Sequence, residues 1–311
     1  MAALVDPPLT GMESLDGEEA SKLTALMAKL NLPPDDPNIL EPLADPLTVL
    51  RFLRARDGKV DDAAKMYNST IAFRKTKIYS LMATYGNSSD EFNTDGTRLT
   101  PATSWNWTRK TEGNNDAILM QKIGFFGRLT INGPDDAPVA IWRLGACDLF
   151  GVKDNDLVDY MCDGFAVHLE DLLQAGRAAS LKHNKMVRAR LIIDVGGVGM
   201  STLPLLKTLK AIIAVGKQYF PECTATATII NAPWVFSSLW VVVKPILTKV
   251  MQRKVCILGT SWVNNPEAFT KHSGITVSAL PACLGGSTPD SQVGQCEPVA
   301  PNLKYVNSNQ L

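Results

Sequence analysis

The sequence predicts an α/β fold preceded by a small helical module. Three observations predict it. From about residue 117, short apolar runs alternate with longer stretches of helical spacing. Residues 18–85 carry helical periods only. The 311-residue chain is 45% hydrophobic and 20% charged, which is enough apolar side chain for a sizeable core.

The helical module is expected first. Glu18 to Leu30 places Leu23, Leu26, Met27 and Leu30 at helical spacing and stops at Asn31-Leu-Pro-Pro. Asp45-Pro46 is a good helix start, a side-chain acceptor followed by a residue whose missing N–H costs nothing there. The helix it opens buries Leu47, Leu50 and Leu53 with Val49 and Phe52, leaving Arg51 and Arg54 off that face; Asp57-Gly58 ends it. A third helix, Val60 to Lys77, aligns Ala63, Tyr67, Ile71 and Arg74. Residues 86–116 are rich in Asn, Ser, Thr, Asp and Gly and read as an irregular connection, with Trp105 and Trp107 inside it.

The α/β part, 117–286, has strand candidates at 138–143, 190–194, 225–230 and 255–258, and helix candidates at 154–179, 203–219 and 235–250. Strands separated by helices of that length imply parallel crossovers. Residues 1–17 and 287–311 are expected to form a flexible leader and tail.

Charge and composition remove several function classes. Thirty-one bases balance thirty-one acids, so a globally basic nucleic-acid binder is not expected. Residues 1–46 hold nine acids and two bases, so the body carries a net +7, which suits both a solvated acidic lead and a protein that visits anionic surfaces. The N-terminus lacks the basic start and apolar stretch of a secretory signal. The most apolar run, Val235 to Val250, is interrupted by Lys244-Pro245 and falls short of the roughly 20 residues a membrane span needs. Six dispersed cysteines with no C-x-x-C pair read as reduced thiols of a cytosolic chain.

Enzyme signatures are thin. His168, His183 and His272 sit at no metal-ligand spacing, and no nucleophile elbow, Walker loop or H-E-x-x-H occurs. Asp194-Val-Gly-Gly-Val-Gly199 follows a strand, but Thr202 stands where the dinucleotide fingerprint needs glycine. The expected role of those glycines is therefore a tight exit from the strand rather than nucleotide binding.

Five segments in order carry a specific pattern: Leu50-Arg-Phe-Leu-Arg-Ala-Arg56; Leu191-Ile-Ile-Asp-Val-Gly-Gly197; Tyr219-Phe-Pro-Glu222 with Ile230-Asn-Ala-Pro-Trp-Val-Phe236; Lys244-Pro-Ile-Leu with Lys254-Val-Cys-Ile-Leu-Gly259; and Leu280-Pro-Ala-Cys-Leu-Gly-Gly286. Together, over residues 20–286, they resemble the CRAL-TRIO lipid-binding family, in particular its phosphatidylinositol-transfer branch. The resemblance implies a helical module packed on a domain whose mostly parallel sheet floors a hydrophobic lipid pocket. It also implies a gate helix over that pocket, here Trp234 to about Lys249, with Trp234, Phe236, Leu239, Trp240, Val243, Ile246 and Leu247 as its gate and pocket residues. An ordinary buried helix has the same composition. A gate has a physical reason, since each methylene exposed to water costs about 0.8 kcal/mol.

Carried over motif by motif, the resemblance assigns the inositol phosphate to Arg56, Glu222 and Lys254. Arg and Lys supply charge-assisted hydrogen bonds to phosphate, while a carboxylate accepts from inositol hydroxyls or orients the lysine. Two departures stand out. Asp57 replaces a basic residue after the first motif, with Lys59 nearby. Ala140, Ala189 and Leu191 occupy positions that are hydroxylated or aromatic in phosphatidylcholine binders, and the turn before the first of them is Asp136-Ala-Pro138. The implied function is therefore a cytosolic, transiently membrane-bound carrier of phosphatidylinositol, with weak phosphatidylcholine binding, no cofactor, no enzymatic activity and a monomeric state. A carrier of a tocopherol-, retinoid- or sterol-like lipophile that docks through phosphoinositide, a nucleotide-using α/β enzyme, and an interaction module that has lost its ligand are the alternatives.

Overall fold

A computed structural model of the chain describes residues 15–32, 43–78, 126–147, 156–200 and 206–288, with isolated positions 81, 152, 153 and 202. The expected leader, connection and tail lie outside the described residues apart from 15–17 and 287–288.

Three helices form the N-terminal module: α1 (Gly17–Lys29), α2 (Pro46–Arg54) and α3 (Val60–Phe73). Asp16 and Asp45 cap the first two, each carboxylate accepting a backbone N–H three residues on. After α3 the backbone widens into a π-turn over Arg74–Ile78 rather than continuing as α-helix. Leu26, Leu50, Phe52 and Leu53 are buried together as the sequence predicts.

Arg51 departs from expectation, since its side chain is fully buried. The cause is packing on both sides. One face of α2 meets α1 and α3, and the other meets the long helix α4 (Val158–His183) of the main body. Arg54 is also engaged, forking onto both carboxylate oxygens of Glu19 at 2.7 and 2.9 Å. A second buried cation, Arg74, pairs with the buried Glu170 of α4 and fastens the module to the body.

The body is a five-stranded sheet in the order β1-β2-β3-β4-β5. Its strands are β1 (Phe126–Asn132), β2 (Pro138–Arg143), β3 (Ala189–Asp194), β4 (Thr224–Ala232) and β5 (Val255–Gly259). β1 runs antiparallel to β2 and the rest are parallel. The crossovers are α4, then α5 (Leu206–Tyr219), then α6 (Phe236–Val243) followed by α7 (Lys249–Arg253).

β1 has no counterpart among the strands expected from sequence. Arg128 on its buried face disguises the alternation, and only its ion pair with Asp171 of α4, at 2.8 Å and 43 residues away, makes that position tolerable. Along β2 and β3 the side chains alternate strictly. Val139, Ile141 and Ile192 pack with Trp262 and Phe269 on the face covered by α8 (Pro266–Ser273), while Ala140 and Leu191 join the opposite core.

Candidate functional site

One cavity of about 640 Å³ lies on the α4–α5 face of the sheet. Trp142, Ile193, Ala227 and Ile229 form its floor. Phe165, Leu169 and Ile212 from α4 and α5 form one wall, and α6 with the turn after it lies across the opening. The parallel strands give the cavity two chemically distinct ends. Glu222 and Lys254 stand at the starts of β4 and β5, whereas Trp142 and Ile193 stand near the finish of β2 and β3. At about 3.3 Å per residue, a six-residue strand separates such ends by roughly 17 Å.

The charged end collects all three residues expected to serve a phosphate. Arg56, Glu222 and Lys254 line the cavity together. Lys254 is buried, and its Nζ donates to Glu222 Oε2 at 2.9 Å and to the Thr224 carbonyl at 2.8 Å. Arg56 is half-buried and its Nη1 donates to the Ala55 carbonyl, next to Asp57 at the same rim. Lys217, Lys249 and Arg253 add positive charge to the lining.

Two residues behind this end were not singled out from sequence. Arg188 Nε lies 3.1 Å from Glu222 Oε2, so one carboxylate oxygen serves two cations. Arg51 donates to the Glu222 carbonyl at 2.6 Å, to the Val187 carbonyl at 2.5 Å and to Ser180 Oγ at 3.2 Å. These bonds hold Glu222 at φ 51°, a left-handed conformation that a non-glycine residue rarely adopts. Burial raises the Glu222 pKa, but the charges of Lys254, Arg188 and Arg51 outweigh it and leave the carboxyl below its ordinary range. Because Arg51, Glu222 and Val187 are far apart in the chain, no local motif announces this arrangement.

The segment expected to be one gate helix from Trp234 to Lys249 is broken into three pieces. α6 ends at Val243, a 3₁₀ turn covers Lys244–Ile246, and α7 starts at Lys249 with Thr248 as its cap. Pro245 has no N–H to continue the ladder, and Leu247 is extended. Phe236, Leu239, Trp240, Val243, Ile246 and Leu247 all line the cavity. Trp234 does not: it is 92% exposed, and Val241 and Val242 of α6 are exposed as well.

The other end is aromatic. Phe126, Trp142 and Phe165 line it, with Phe126–Phe165 and Trp142–Phe165 ring centroids each 5.1 Å apart and edge-on. Ala140, Ala189 and Leu191 are buried in the core on this face of the sheet, Ala189 at the start of β3 beside Thr224, and bring no side-chain hydroxyl.

The glycine turn after β3 is occupied by structure. Asp194 Oδ1 accepts from Gly196 N and from Asn231 Nδ2, both at 3.0 Å, while Asn231 Oδ1 accepts from Trp262 Nε1 at 3.0 Å. Gly197 sits at φ 86°, and a Cβ on Gly145 would fall 1.6 Å from the Gly196 carbonyl oxygen. Two loops are thus pressed together, and the glycines serve that contact. Among the described residues, no group of three or more His, Cys, Asp or Glu could hold a metal ion, and no helix is long and apolar enough to cross a membrane.

A sheet-floored apolar cavity, charged at one end and crossed by a broken helix, defines a pocket-bearing α/β domain with an N-terminal helical brace. The chain belongs to the CRAL/TRIO family: the CRAL/TRIO domain matches residues 129–286 and the CRAL/TRIO N-terminal domain matches residues 20–69. "Protein real-time" of Anopheles gambiae is 28% identical over 276 residues, covering 86% of this chain and 35% of that protein. "Sec14 cytosolic factor" of Schizosaccharomyces pombe is 26% identical, covering 78% of this chain and 75% of that one. The chain thus spans about a third of the first relative and most of the second. "Phosphatidylinositol/phosphatidylcholine transfer protein SFH11" of Arabidopsis thaliana is 29% identical over 51% of this chain and 42% of its own. The crystal structure of Sfh5 superposes with a TM-score of 0.52 at 13% identity, covering 82% of this chain and 85% of that one, which establishes a shared fold.

Proposed function

We propose that this chain carries single membrane lipids, with phosphatidylinositol as the ligand whose head group it recognises. The observation that carries this reading is the cavity itself, whose apolar length ends at Arg56, Glu222 and Lys254. Acyl chains would lie over the sheet, since each methylene removed from water gains about 0.8 kcal/mol. The phosphate would meet Lys254 and Arg56, with Glu222 orienting the lysine or accepting from inositol hydroxyls. The buried Ala140, Ala189 and Leu191 support weak phosphatidylcholine binding, because none offers a hydroxyl or a π-face to that head group.

The cover would open by movement of α6 about the Lys244–Leu247 break, at an anionic membrane surface drawn to the basic rim. In this reading the protein is a cytoplasmic, transiently peripheral monomer without catalytic chemistry. Residues 18–85 serve as brace and 117–286 as lipid domain, between a leader, a connection and a tail.

The experiment is to incubate the protein with vesicles holding phosphatidylinositol, phosphatidylcholine and sterol, re-isolate it, and identify bound lipid by mass spectrometry. Phosphatidylinositol near one per protein, lost in Lys254→Ala, is the expected result. Equal loading of both phospholipids would refute the specificity, and no bound lipid would refute the carrier.

A second reading has its own support. A volume of about 640 Å³ falls within the roughly 300–1,000 Å³ of sites for drug-sized ligands, and the aromatic end suits a compact apolar molecule. A small lipophile, with phosphoinositide used for docking, would load from the same vesicles and persist in Lys254→Ala.

A further inference from the structure

Trp142 stands one residue from the finish of β2, with its ring in the cavity wall and its indole N–H directed away into α4. Nε1 donates to His168 Nε2 at 2.9 Å. An accepting Nε2 places the imidazole proton on Nδ1. His168 is buried, and burial together with the Arg128 charge lowers its pKa to about 3, so the ring stays a neutral acceptor. Phe165 packs edge-on against the indole at 5.1 Å. Swinging the indole aside would strand a buried donor and a buried acceptor together, which makes the ring a fixed wall rather than a soft one.

The floor beside it is low. Ala227 on β4 presents only a methyl group to the cavity, while Ala140, two residues earlier on the same face of β2, is fully buried. Trp142 is where that floor rises. Its partner on β1, Phe126, flanks it at the same end of the sheet.

We propose that Trp142, held in place by His168, is the end wall that sets the length of apolar chain this cavity accepts. Trp142 is the specificity-determining residue and His168 a positioning residue behind it. The inference rests on reading the cavity as a lipid site, not on which head group occupies the other end.

The test uses the full chain and mixed vesicles carrying phosphatidylinositols and free fatty acids in graded chain lengths. Bound lipids are read by mass spectrometry after re-isolation. Wild type is expected to load one length best and to reject longer chains. Trp142→Ala should move the optimum to longer chains, each extra methylene accommodated gaining roughly fourfold in relative loading. Trp142→Phe should move it less, and carries the test if the alanine variant does not fold. His168→Gln, which keeps an acceptor, should retain the wild-type distribution, whereas His168→Leu should broaden it.

An unchanged distribution in both Trp142 variants would overturn the wall. An unchanged distribution in His168→Leu would overturn the positioning role alone. Failure of wild type to load any lipid would overturn the wall and the lipid reading together.

Discussion

The two ends of the cavity are built on opposite physical terms. At the charged end, Glu222 stands between Lys254 and Arg188 and is held from behind by Arg51, so a mostly buried carboxylate is kept ionised by three cations. At the aromatic end, His168 is kept neutral by burial and spent on the Trp142 indole. Among the residues that line the cavity, charge is concentrated where the strands begin. A lipid has the same division along its length, which is the match the proposed carrier function rests on.

The sharpest way to break the contrast is to remove the anion from the charged end. Glu222→Gln leaves Arg188 and Lys254 facing each other without their shared partner, at a cost of about 3 kcal/mol. Denaturant unfolding should show that loss, and a change within error would mean that the cluster is not a coupled unit. Lys254→Ala removes charge-assisted bonds and should weaken phosphatidylinositol loading about 10- to 100-fold while sparing uncharged lipids in the same vesicles. Equal losses for charged and uncharged lipids would erase the distinction between the ends.

Acid separates the ends by a different route. His168 titrates near its ordinary value of 6.5 when unfolded but only at about 3 when folded. Its burial is therefore without penalty above pH 6.5, and stability is lost as pH falls from there toward 3, by up to about 1.4 kcal/mol per pH unit. Glu222, held below its ordinary 4.5, contributes stability that is present above that value and lost only at lower pH. Unfolding at pH 6.5 and 5 should thus show a loss of about 2 kcal/mol. That loss should shrink in His168→Gln, with a remainder from His272, whose pKa burial also lowers, and persist in Glu222→Gln.

The smallest effect on stability belongs to the cover. Trp234 is almost wholly exposed, so Trp234→Ala should leave unfolding within about 0.5 kcal/mol of wild type. Cosedimentation with anionic vesicles should fall several-fold all the same. Unchanged cosedimentation would mean that the outer face of α6 does not meet the membrane.

Legibility in the sequence follows the range of the interactions. Asp45-Pro46 announced α2 because capping is settled within four residues. Four strands were legible because β-branched runs declare themselves locally, and β1 was not, because Arg128 is acceptable there only beside Asp171. The break after Val243 was visible as Lys244-Pro245, although a continuous gate helix was expected across it. Arg56, Glu222 and Lys254 could be named from three motifs.

By itself, then, the sequence determined the α/β class, the helical brace and the order of strands and helices from β2 onward, and its motifs singled out Arg56, Glu222 and Lys254. These depend on periodicity, caps and short motifs, whose energies are local. Only the tertiary structure decided that Arg51 is buried, that Arg188 shares Glu222 with Lys254, and that Trp142 is pinned by His168. Each of those depends on which distant segment supplies the compensating partner, and burying a polar group is tolerable only once that partner has arrived.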